Sequence, residues 1–157
     1  MRELYFAELY SAMARNHDII ALTGDLGYGG FDKIMHAFPD RFLNCGASEQ
    51  SMLDIAVGLA HSNKIPICYT ITPFFYRGWE TIRTYINHEN LNIKLVGSGR
   101  DTDYEHDGYS HNAEDVKNHF NLLKNIKQMW PEKKEEIPLL IREMIDIPRP
   151  TFLSLKR

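Results

Sequence analysis

The stretch Arg41–Ala60, "RFLNCGASEQSMLDIAVGLA", decides the fold. Its first six residues read as a short strand ending at Gly46. Met52, Ile55, Ala56, Leu59 and Ala60 then fall at helical spacing. A strand that turns through small residues into a helix is one βα unit. Glu49 stands at its junction, and two readings are open. It is either a first-turn acid favoured by the helix dipole, with Ser48 as cap, or a functional carboxylate at the mouth of a packed helix.

The same unit repeats outward. "DIIALTGD", "IPICYTI", "NIKLVG", "IKQMW" and "TFLSLK" are short apolar runs that read as buried strands. Between them lie helical patterns: Glu3–Arg15, the segment "FDKIMHAFP" stopped by Pro39, "FFYRGWETIRTYINHE", and the stretches near Ala113–Leu123 and Glu132–Ile145. Alternation of this kind predicts a three-layer α/β/α domain with a mostly parallel sheet of about six strands, covered on both faces. Residues 1–157 read as one domain without repeat or linker.

Composition narrows the function. Hydrophobic residues make up 43% and charged residues 25% of the 157, which is the balance of a globular domain. The net charge of -3 offers no basic face to nucleic acid. No run is long enough to span a bilayer and no signal peptide opens the chain, so a cytoplasmic protein is expected. Cys45 and Cys68 each sit in an apolar run. Free thiols in a reducing compartment fit them better than a disulfide.

In a parallel sheet, ligands bind beyond the carboxyl ends of the strands. Four loops lie there: "GDLGYGG", "CGASEQ", "TITPFFYR" and "SGRDTDYEHDGYSH". The glycines of the first match neither a dinucleotide nor a P-loop pattern, and read as a turn. His106 and His111 share the last loop with Asp103, Glu105 and Asp107, but their spacing matches no zinc or calcium site, so no metal is expected on this chain. Cys45 has no evident base and reads as core rather than nucleophile.

Taken in order, "DLGYGGFD", "FPDRFLNCGASEQSM", "GLAHSNKIPICYTITPFFYRGWETIR", "NLNIKLVGSGRDTDYEHDGYSHNAEDV" and "RPTFLSLKR" resemble the pyrimidine-binding domain of the transketolase family. The segments of form G-x-x-E-Q and D-G-x-x-H are the most telling. The resemblance implies the thiamine diphosphate-binding fold, that cofactor, and a carboligase that transfers a two-carbon unit to an aldose phosphate. The phenylalanine-rich third loop is also similar to deoxyxylulose-phosphate synthases, and "GDLGYGG" to 2-oxoacid dehydrogenase beta subunits. Those similarities keep open a subunit of either enzyme type, or a non-catalytic partner of a full-length enzyme.

The resemblance assigns roles residue by residue. Glu49 matches the glutamate that hydrogen-bonds the cofactor's pyrimidine nitrogen and favours its imino form. Phe74, with Phe75 as the one-residue alternative, matches the aromatic that stacks on that ring. Asp25 resembles an acid near the cofactor. Asp107 and His111 match residues facing the substrate's carbonyl and hydroxyl groups, with His111 relaying a proton. Arg100, Arg77 and Arg157 resemble the basic residues around an acceptor phosphate. The family's "GDG" motif, which holds magnesium and the diphosphate, is missing from these 157 residues. A split enzyme is therefore expected, with Mg2+ held mainly by a partner subunit carrying the diphosphate-binding domain. A heterotetramer or other dimer of dimers is the expected assembly.

Overall fold

The structure, a computed structural model, describes residues 1–157. The apolar runs form β1 (Ile19–Thr23), β2 (Phe42–Asn44), β3 (Ile65–Ile71), β4 (Lys94–Ser98), β5 (Lys127–Met129) and β6 (Thr151–Leu155). The helices are α1 (Arg2–Arg15), α2 (Asp32–Ala37), α3 (Glu49–His61), α4 (Trp79–Thr81), α5 (Val116–Phe120) and α6 (Ile137–Asp146). All strand pairs are parallel, in the order β2-β1-β3-β4-β6-β5. The chain runs from β1 outward to β2 and returns to place β3 on the other side of β1. That reversal opens a crevice over the carboxyl ends of β1 and β3.

Side chains alternate across the sheet as a period of two requires. Leu22, Cys68, Leu95 and Phe152 lie in register across four strands and face one layer. There they meet α3, the segment after β3, and α5 through Met52, Leu53, Phe75, Ile82 and Phe120. Ala21, Tyr69, Val96 and Leu153 face the other layer, where α1 and α6 supply Tyr5, Leu9, Met13, Ile141 and Met144. The glycine-rich loop closes over that layer. Gly30 presses against the Phe6 ring, where no Cβ fits, and Gly27 turns at φ +85 beside Phe31. The glycines serve a turn, and the close approach explains why the turn needs them. Both cysteines are free. Cys68 is buried in β3, whereas Cys45 lies just past β2 and is half-buried.

Three helical segments differ from their sequence patterns. The stretch expected as one amphipathic helix is a 3-10 helix over Thr72–Gly78, the short α4, and a π-helix over Ile82–His88. Gly78 marks the first change, where the backbone is pressed against Leu53 of α3. α5 is shorter than its apolar spacing predicts, because Ala113 bridges to Asp101 instead of opening a helix. Before α6, Lys134–Glu136 form a 3-10 turn, and Pro138 sits in the first turn of the helix itself.

At the opposite end of the sheet Lys94 is fully buried. Its Nζ donates to the carbonyls of Ile147 at 2.7 Å and Arg149 at 2.9 Å, which ties the α6–β6 connection to β4. Burial pulls its pKa down to about 7. The unfolded chain therefore holds more protons than the native chain from about pH 7 to the ordinary lysine value, and stability rises with pH across that window. Between pH 7 and pH 9 the wild type should gain on the order of 1–2 kcal/mol that Lys94→Met does not gain. Urea denaturation of both proteins at the two pH values measures it, and equal gains would refute the assignment.

Candidate functional site

Glu49 is the first residue of α3, and its side chain is 1% exposed. A carboxylate so placed gains from the helix dipole, but burial demands hydrogen-bonding partners as well. Thr70 Oγ1 donates to Oε1 at 3.3 Å, and Arg77 Nη1 donates to Oε2 at 2.7 Å. Thr70 comes from β3 and Arg77 from the 3-10 segment that follows it, so the crevice and its lip both reach the carboxylate. Gly24, past the end of β1, completes the wall. A Cβ there would lie 3.4 Å from both Glu49 Oε1 and Thr70 Oγ1. Ser48 does not cap α3 with its side chain, because its hydroxyl bonds to Ser51 Oγ at 2.9 Å.

The two phenylalanines separate cleanly. Phe75 is fully buried and packs edge-on to Phe152. Phe74 faces the crevice between two partners: the Arg77 guanidinium lies 3.9 Å from its ring centre, and the His111 ring stands edge-on at 5.0 Å. Glu49, Arg77, Phe74 and His111 thus form a continuous chain of contacts drawn from α3, the 3-10 segment and the long loop. Asp25 flanks it from the adjacent loop, exposed and at φ +58. Asn44 at the end of β2 holds Asp25 there: its amide donates to Asp25 Oδ1, and its oxygen accepts from the Asp25 and Gly46 backbone N–H groups. Asp107 stays on the exposed outer part of the long loop, beside His106.

The remaining arginines are tied into the fold. Arg100 is 5% exposed, and each of its three guanidinium nitrogens is engaged. They donate to Ser154 Oγ at 3.3 Å, Glu132 Oε1 at 2.9 Å and the Ser154 carbonyl at 2.5 Å. Burial lowers its pKa against the pull of Glu132. Arg100 therefore does not offer an open phosphate anchor in this subunit. Asp103 Oδ2 accepts from the backbone N–H groups of Arg100 and Arg157, which knots the long loop to the end of β6. The Arg157 side chain lies over Tyr104 beside His106. Sequence reading missed Thr70, Asn44 and the Glu49–Arg77 pair. A three-residue step from Phe74 to Arg77 directly after a Thr-Pro pair was the available signal for the last of these.

A planar guanidinium satisfies Glu49 and Phe74 together. No group of three or more His, Cys, Asp or Glu side chains is arranged to hold a metal ion. No helix is long and apolar enough to cross a membrane.

A doubly wound parallel domain with its polar side chains gathered over the strand-order reversal is a ligand-binding domain of the α/β class. The sequence model described as "Transketolase, pyrimidine binding domain" matches residues 1–157, and the chain belongs to that family. The family depends on thiamine diphosphate, and this domain is the one that binds the pyrimidine part. The chain is similar to the 6-deoxy-6-sulfo-D-fructose transketolase subunit of a Clostridium species, with 29% identity over 100% of this chain and 49% of that protein. It is 41% identical to human transketolase over 60% of this chain and 15% of that protein. Among solved structures it resembles a split-gene transketolase described as an inactive beta4 tetramer. That match has TM-score 0.87 and 28% identity, over 99% of this chain and 50% of the other. The chain thus spans about half the length of these two subunit-type relatives.

Arg100→Ala should remove a buried, charge-assisted network and lower the folding stability of the isolated chain by about 1.5–3 kcal/mol. Chemical denaturation followed by circular dichroism measures the loss. A stability within 0.5 kcal/mol of wild type, roughly the range of a surface substitution, would show that the network contributes nothing.

Proposed function

We propose that this chain is the pyrimidine-binding subunit of a split, transketolase-like, thiamine diphosphate-dependent transferase, which passes a two-carbon unit to an aldose phosphate. One observation carries the reading. The buried Glu49 carboxylate and the half-buried Phe74 ring stand over the strand-order reversal and share one flat partner, the Arg77 guanidinium. When bound, thiamine diphosphate supplies the thiazolium carbon that carries the transferred unit. Glu49 holds or yields a proton at the pyrimidine nitrogen, in a site where burial keeps water from taking its place. Phe74 sets the plane of the ring by stacking. Asp25 lies at the rim, fixed by Asn44. Mg2+ and the diphosphate fall to the partner subunit that carries the diphosphate-binding domain, in a heterotetramer or other dimer of dimers.

Substrate recognition falls to the long loop. His111 is half-buried against Phe74 and is placed to exchange a proton with a substrate oxygen. Asp107, further out, accepts from substrate hydroxyls. Arg157 lies at the open end of this loop and suits an acceptor phosphate, which its planar fork binds in pairs. Arg100 and Arg77 are engaged within the subunit, and either reaches a phosphate only by exchanging those partners.

Two outcomes test the reading. The isolated chain should bind thiamine diphosphate weakly or not at all by calorimetry, since half of the site lies on the partner. Tight, magnesium-dependent binding by the single chain would contradict the split site. In the assembled two-chain enzyme, Glu49→Gln should keep assembly and cofactor binding but slow proton–deuterium exchange at the thiazolium carbon by about a hundred- to ten-thousandfold. Equal exchange rates in the two enzymes would reduce Glu49 to a structural residue of the helix start.

A further inference from the structure

Two independent contacts put the Arg77 guanidinium where a pyrimidine ring would lie. Its Nη1 donates to Glu49 Oε2 at 2.7 Å, and its central carbon lies 3.9 Å from the centre of the Phe74 ring. The first is the hydrogen bond the site offers to a ring. The second is the face it offers for stacking. A guanidinium is itself flat and delocalised, with donors in its plane, so it satisfies both groups at once. The backbone builds this arrangement locally. Thr72–Gly78 is a 3-10 helix, in which side chains three residues apart lie over one another, and Phe74 and Arg77 are three apart. In an α-helix of the same sequence, the pair would be offset around the axis.

We infer that Arg77 is a gate on the pyrimidine pocket: in the cofactor-free subunit it takes the place of the ring, and it must leave before the ring can enter. The inference rests on the proposed reading of that pocket. Exposure separates the fixed part from the moving part. The Glu49 side chain is 1% exposed and held from behind by Thr70, whereas the Arg77 side chain is 49% exposed on a flexible stem. Without the guanidinium, the free subunit would carry a buried carboxylate with no cation beside it, an arrangement that destabilises a fold. With it, the pocket is closed in most molecules, and the apparent cofactor affinity falls by the open fraction. The Arg77 side chain is already half in solvent, and the guanidinium leaves in that direction.

Arg77→Met keeps an unbranched stem and removes the charge and the donors. Two readouts should then move in opposite directions. The free R77M subunit should unfold at a lower temperature than wild type. For Arg77→Ala, millimolar methylguanidinium should recover part of that loss while leaving wild type unchanged. In the chain assembled with the diphosphate-domain subunit, calorimetric titration with thiamine diphosphate and Mg2+ should show R77M binding about tenfold or more tighter than wild type. Arg77→Lys should fall between the two, because an ammonium pairs with Glu49 but presents no flat face. Equal or weaker cofactor binding by R77M would overturn the gate and make Arg77 a bystander or a cofactor ligand. If wild type itself failed to bind in the assembled enzyme, the thiamine reading of the pocket would fall, and the gate with it.

Discussion

A carboxylate at the base of a crevice must be answered by hydrogen bonds, and the site's organisation follows from answering Glu49. The helix start gives it part of a positive field, Thr70 one donor and Arg77 a cation. These come from α3, β3 and the segment after β3, which meet only because the strand order reverses between β2 and β3. The fold itself therefore places the carboxylate. Beside it the Arg77 guanidinium lies over the Phe74 ring, and Gly24 packs against the carboxylate without a Cβ.

The long loop between β4 and α5 is anchored by different chemistry. Asp103 gathers two backbone N–H groups, Arg100 is buried against Ser154 and Glu132, and the Thr72 hydroxyl donates to the Gly99 carbonyl. These ties fix the root of the loop and leave its tip exposed, with Tyr109 91% exposed. His111 is the point where the loop returns to the crevice. A rigid root with a polar, accessible tip is how a scaffold presents a loop to solvent.

Much of this was legible in the sequence, for identifiable reasons. β-branched runs such as Ile65–Ile71 and Ile19–Thr23 read as strands because buried parallel strands are apolar on both faces. That Glu49, Phe74 and His111 gather over one crevice was legible from their places at strand ends. The 3-10 and π turns after β3 were not, because Phe75, Trp79, Ile82 and Ile86 keep an apolar stripe whichever helix type carries them, and the close approach of Gly78 to Leu53, where the type first changes, is a long-range contact. The burial of Arg100 was not legible either: its partners Glu132 and Ser154 are 32 and 54 residues away. Arg77 read as a phosphate ligand for the same reason, since its partner Glu49 is 28 residues distant.

On the proposed reading, Glu49 and Phe74 together receive the pyrimidine ring, and a crystal structure of the two-chain complex with thiamine diphosphate and Mg2+ would show it. The pyrimidine nitrogen should lie within about 3 Å of a Glu49 carboxylate oxygen, the ring parallel to Phe74, and the Arg77 guanidinium displaced toward solvent. A pyrimidine bound elsewhere, with the Glu49–Arg77 pair intact and Phe74 uncovered, would contradict it.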